Sequence, residues 1–180
     1  MILKNDGTLL ACGYNEYGQL GHGTTIEQHT PVLVMSSVKS MAAGALHSLI
    51  LKTDSTLWAC GQNILGKLGD GTDTDRLDPV RIISGVQSME AGAHHSLILK
   101  TDGTLWACGA NDYGQLGNGT RNNQQTPVRI TSGVQNMAAG LDHSLILKTD
   151  GTLWVCGNNE YGQLGNGANT QQLTPVQISF

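Results

Sequence analysis

Three His-Ser pairs, His47–Ser48, His95–Ser96 and His143–Ser144, are the first residues of this chain that could do chemistry. A histidine beside a serine suggests an activated nucleophile, but such a base needs a third group to orient it. No acid recurs with the pairs, and the dipeptide simply returns every 48 residues, whereas catalysis needs an asymmetric site. Imidazoles repeated around one axis could instead ring a metal ion. The first copy lacks the histidine and no carboxylate accompanies the others, so His47, His95 and His143 are expected to be structural. His94 occurs in one copy only and is read as a surface residue.

A second candidate is the glycine-rich string GYNEYGQLGHG at 13–23, repeated as GQNILGKLGDG (61–71), GANDYGQLGNG (109–119) and GNNEYGQLGNG (157–167). Phosphate cradles need a Lys-Ser/Thr pair closing the glycines, or a helix that follows them. Neither is present. Gly18, Gly66, Gly114 and Gly162 are therefore read as turn positions that need positive φ, with Leu20 plugging a gap between repeats. The run GDGTDTDRLD offers Asp70, Asp73, Asp75 and Asp78, but its glycine sits too early for a calcium loop and the closing Glu is missing. A solvated loop, partly neutralised by Arg76 and Arg81, is expected. Cys12, Cys60, Cys108 and Cys156 recur once per copy with no C-x-x-C pair, which predicts buried free thiols rather than disulfides or a metal site. No cofactor is expected.

The elements that position these residues follow from composition and period. Apolar residues make up 39% of the 180, enough for a core, and 24 glycines against four prolines suit many tight turns. Net charge is −4 and no two Lys or Arg are adjacent, which argues against a nucleic-acid partner. No apolar run approaches the roughly 20 residues that span a bilayer, so no membrane partner is expected. MILKNDG has neither a basic nor an apolar stretch typical of a signal peptide. That fits a cytoplasmic chain, and equally a piece of a longer protein whose signal lies upstream.

The repeat is strict. LKTDG-type strings begin at Leu3, Leu51, Leu99 and Leu147, prolines fall at Pro31, Pro79, Pro127 and Pro175, and 51–98 matches 99–146 at 31 of 48 positions without a gap. Within the third copy, strands are predicted at Val86–Ala91, Ser96–Lys100, Thr104–Cys108 and Pro127–Ile130. Asp102–Gly103 is expected to form a primed two-residue turn. In the second copy Ser55 replaces that glycine and would be forced to positive φ. HSLILK and TLWAC are apolar on both strand faces, so each small sheet must be covered on both sides. Four-stranded antiparallel units covered by their neighbours are blades of a β-propeller. Trp58, Trp106 and Trp154 share one strand position and are assigned to core packing.

These motifs, M-x-A-G-x-x-H-S-L through D-G-x-L to G-Q-L-G-x-G with Pro-Val after the loop, resemble the repeat of the regulator of chromosome condensation family. The resemblance covers essentially the whole chain. It implies an all-β propeller, usually of seven blades, and a histidine bonded to backbone in a neighbouring turn. The plant ultraviolet-B photoreceptor shares this fold, but its G-W-R-H-T string is absent here.

Blade 1 is expected over about 1–36 without its first strand, blade 2 over 37–84, blade 3 over 85–132 and blade 4 over 133–180. Such a partial ring of about four blades would leave apolar faces bare, so completion by oligomerisation, as a homodimer, is expected. The function expected is a non-enzymatic scaffold presenting a loop face to an unknown protein partner through Asn15, Tyr17, Asn111, Tyr113, Asn159 and Tyr161. One alternative is guanine-nucleotide exchange on a small GTPase, as in the family's founding member, although no inserted wedge is visible. Another is an excised or engineered part of a larger propeller without an independent role.

Overall fold

Short apolar runs separated by glycine turns can satisfy their backbone only by pairing with one another. In the computed structural model, which describes residues 1–179, they do so in four antiparallel sheets. The first contains β1 (Ile2–Leu3), β2 (Leu9–Gly13) and β3 (Gln28–Met35). The second contains β4 (Val38–Ala43), β5 (His47–Lys52), β6 (Thr56–Gly61) and β7 (Arg76–Ser84). The third is β8 (Val86–Ala91), β9 (His95–Lys100), β10 (Leu105–Gly109) and β11 (Gln124–Thr131). The fourth is β12 (Val134–Ala139), β13 (His143–Lys148), β14 (Leu153–Gly157) and β15 (Gln172–Ile178). Within each sheet the strands lie in chain order, the up-and-down pattern of a propeller blade. The first sheet has three strands and the others four. No helix is long and apolar enough to cross a membrane among the described residues.

The outermost strand of the third sheet starts at Gln124, ahead of the expected Pro127, because Gly109 pairs with Gln124 across a bulge. The Asp-Gly turn also differs from the primed form. Gly103 N–H donates to Lys100 O and Lys100 N–H to Thr104 O, so Thr101–Asp102–Gly103 form a three-residue loop. Only the glycine has positive φ (75°). Asp102 Oδ1 accepts from Thr104 N–H (3.0 Å) and Oγ1–H (2.6 Å), which favours this geometry over a primed turn. Ser55 does take the glycine's place at φ 63°.

Packing between sheets repeats one pattern. Leu49, Leu51 and Leu57 of the second sheet meet Val86, Met89 and Ile98 of the third. Leu97, Leu99 and Leu105 of the third meet Val134, Met137 and Ile146 of the fourth. Burying each such side chain contributes roughly 1.5–3 kcal/mol, which explains why both faces of a blade are apolar. The innermost strands β4, β8 and β12 lie next to one another around the axis.

The tryptophans are half-buried and pack against the edges of the core clusters, as expected. Trp58, Trp106 and Trp154 donate through Nε1 to Thr56, Thr104 and Thr152, and each ring is capped by Lys52, Lys100 or Lys148 at 5.4–5.9 Å. Cys60, Cys108 and Cys156 are buried free thiols, pushed up to about 12 by burial. Cys12 differs: it is exposed. Each buried thiol lies under the glycine loop of the preceding copy, Gly21 on Cys60, Gly69 on Cys108 and Gly117 on Cys156.

Candidate protein-interaction face

The loops joining the last two strands of each blade emerge at the same end as the turns joining its first two. Gln62, Ala110 and Asn158 N–H groups donate to Leu46, His94 and Asp142 carbonyls, tying one kind of loop to the other. Each glycine loop is organised by a fully buried asparagine. Asn111 Oδ1 accepts from Leu116 N–H (3.0 Å), while its Nδ2 reaches Asn118 Oδ1 and the carbonyls of Thr120 and Asn122 at 2.9–3.2 Å. Asn15, Asn63 and Asn159 repeat these bonds. Asn15, Asn111 and Asn159 therefore leave the expected contact set, because their amides are consumed inside the loop.

The tyrosines divide. Tyr161 is 85% exposed and Tyr113 40%, whereas Tyr17 is half-buried and meets Tyr14 edge-on at 6.5 Å. Their backbone N–H groups are satisfied by Gln19, Gln115 and Gln163 Oε1 at 2.9–3.1 Å. The Gln of the G-Q-L-G string, two places after each Tyr, is the sequence signal of this bond, but the string alone assigns it no role.

Gly18, Gly66 and Gly114 dock the loop on the next blade. A Cβ there would lie 2.6, 2.5 and 2.7 Å from the Cα of Leu77, Gln125 and Leu173, all in outermost strands. At Gly162 the nearest atom is 3.7 Å away, on the loop's own Asn169. The histidines stitch the inner side. Ser96 Oγ–H donates to Lys67 O (2.7 Å), so its oxygen accepts from His47 Nε2–H (3.0 Å). His95, Ser144 and Gln115 O repeat the chain. The histidine thus reaches a loop backbone through the next blade's serine rather than directly. Nδ1 of His47 and of His95 is buried without a partner among the described residues, and burial pushes both imidazoles down to about 3. Each imidazole is thus buried, kept neutral and fixed by its bond to the serine. His143 is half-buried, and His94 is exposed as expected.

Among the described residues no His, Cys, Asp and Glu group could hold a metal ion. Asp70 is not part of a solvated loop: burial pushes its carboxyl up, but the bonds it accepts from Thr72, Arg76 Nε (2.6 Å) and Asn63 together outweigh this and hold it below the usual carboxylate range. Asp73, Asp75 and Asp78 are exposed.

A family model described as RCC1-like domain matches residues 1–180. The chain belongs to this RCC1-like family. Solved structures agree on the RCC1-like fold. Human WBSCR16 superposes with a TM-score of 0.88 at 23% identity, over 99% of this chain and 50% of that one. Yeast RCC1 (Prp20), crystallised with Kap60, gives 0.89 at 25% identity, over 99% and 46%. A separate Saccharomyces cerevisiae Prp20p structure gives 0.87 at 25%, over 99% and 48%. The chain thus spans about half the length of these relatives. No curated protein sequence matches it.

The two ends of these RCC1-like blades differ in charge. The loop end carries Glu16, Glu27, Asp70, Asp73, Asp75, Asp112, Asp142 and Glu160 against Lys67, Arg121 and Arg76, the last paired with Asp70. At the other end each hairpin supplies one Lys and one Asp, as in Lys52 with Asp54 and Lys100 with Asp102, and is balanced. Exposed tyrosine on an internally fixed, acidic surface suits recognition at low entropic cost.

Proposed function

We propose that this RCC1-like propeller acts without catalysis, as a protein-interaction module whose loop end is the docking surface. The observation that carries this reading is Tyr113 and Tyr161, exposed on loops whose own polar groups are already satisfied. Peptides selected from a displayed random library on the immobilised protein should bind about tenfold more weakly after Tyr113→Ala with Tyr161→Ala. Lys100→Ala at the opposite end should leave them unchanged. Ligands indifferent to the tyrosines would sink the proposal.

Self-association belongs to the same reading. The blade 4 leucines Leu145, Leu147 and Leu153 match those that seat the next blade elsewhere, and Ile2 on blade 1 is exposed. A chain of these residues should scatter light as a dimer at micromolar concentration; a clean monomer there removes this part.

Nucleotide exchange on a small GTPase is the second reading, favoured by the 25% identity to yeast Prp20p, studied with its binding to Gsp1p and histones. Accelerated nucleotide release from any member of a GTPase panel would replace the binding-only reading.

A further inference from the structure

We infer that the groove between the glycine loop of blade 2 and the outermost strand of blade 3 docks a short basic segment of a partner protein, seating the stem of an arginine or lysine on an apolar wall and its charged head on two aspartates. The proposal rests on the loop end being the interaction surface and names the chemistry of what binds there.

The groove encloses about 720 Å³, within the roughly 300–1,000 Å³ of typical ligand sites. Its wall is Ile64, 51% exposed, with Leu65; its polar side is Asp73, Asp75 and Gln125. This junction is unlike its neighbours. Leu65 stands where the other loops have tyrosine, and Gln125 where the next blades have Leu77 and Leu173. Neither Asp73 nor Asp75 is in an ion pair among the described residues, and Asp75 spends only Oδ1, on Asn63 N–H (2.7 Å). The nearby Arg76 is committed to Asp70. The other cation beside the groove is Lys67. Its ammonium is buried and faces Gln62 Oε1 (2.7 Å), so it leaves the rim acidic.

Charge complementarity selects the occupant. An anionic or apolar segment would strand both carboxylates without a partner, whereas long cationic side chains lay methylenes on apolar surface and keep their heads in reach of oxygen. Two carboxylates beside an apolar wall therefore discriminate for Arg or Lys, and the acidic loop end steers such a segment towards them.

The test is fluorescence anisotropy with a labelled (Arg-Gly-Ser)3 peptide, its Lys and Glu counterparts, and the full chain. The Arg and Lys peptides should bind and the Glu peptide should not. Asp73→Asn with Asp75→Asn should weaken binding at least about tenfold. Asn keeps the acceptor for Asn63 N–H, so the fold should persist, which an unchanged melting curve checks. Asp112→Asn with Glu160→Gln removes the same charge from other loops and should change affinity about twofold or less. Equal losses in both double variants would reduce the effect to the general field and overturn the groove. No binding of either cationic peptide overturns it too, while displayed ligands sensitive to Tyr113 and Tyr161 would still leave the loop-end reading standing.

Discussion

The glycine loop of blade 2 and those of blades 1, 3 and 4 solve one problem in two ways. In the three, a glutamine carbonyl accepts the N–H of the tyrosine two residues earlier. In blade 2 the glutamine is Lys67, which has donors only. Leu65 has turned into the left-handed region (φ 62°, ψ 14°), the segment Ile64–Gly66 has wound into a 3-10 turn, and Lys67 has found Gln62. A leucine there costs about 1–2 kcal/mol. One lost acceptor is thus converted into backbone strain and a differently shaped rim, while the docking glycine and the buried asparagine stay in place. The lesson is that the loop has a rigid part, facing the next blade, and a permissive part, facing solvent.

The largest effect should come from what all the loops share. Gly66→Ala and Gly114→Ala each force a Cβ onto neighbouring backbone at positive φ, and each should cost about 3 kcal/mol or more in urea unfolding. In a single chain Gly162→Ala meets only strain and should cost about 1 kcal/mol, and more where a second copy packs on blade 4. If Gly66 tolerates alanine while Gly114 does not, the rigid part is not common to the loops.

Transplanting the difference should come next. Gln115→Lys removes the acceptor of Tyr113 N–H and buries an ammonium, and should cost about 2–3 kcal/mol. The reverse change, Lys67→Gln, should gain about 1–2 kcal/mol. It should also alter the pH profile. Burial pushes Lys67 down to about 8 from its ordinary 10.5, so between those values the unfolded chain holds the extra proton and stability rises with pH. The buried thiols act oppositely above pH 9, which makes the difference between wild type and Lys67→Gln the quantity to measure. A flat difference from pH 8 to 10.5 would show that Lys67 is not held as described.

Smallest are the glycine substitutions at strained positions. Leu65→Gly and Ser55→Gly should each raise the unfolding free energy by about 1 kcal/mol or less, because glycine accepts positive φ without penalty. An unchanged or lowered melting temperature at Leu65 would place the strain elsewhere.

Much of the fold was legible because the period repeats every local signal. Val86–Ala91 came out as read, and Ser55 was singled out by the missing glycine alone. The turn type was not, because Asp102 is held by Thr104, and that competition between side chain and backbone leaves no mark in an Asp-Gly pair. The site was less legible. Asn111 and Tyr113 stand two residues apart in one polar string, and nothing in their spacing says that one is consumed by the loop and the other left outside.

By itself the sequence determined the blade, since strand, turn and loop are set by apolar alternation, glycine positions and hydrogen bonds within about 48 residues. Only the tertiary structure decided which residues face a partner. Exposure depends on the neighbouring blade: it buries Cys60 under Gly21, brings Gln125 against Gly66, and routes His47 through Ser96 of the next copy. Identical strings therefore have different surroundings, and the surroundings set the chemistry.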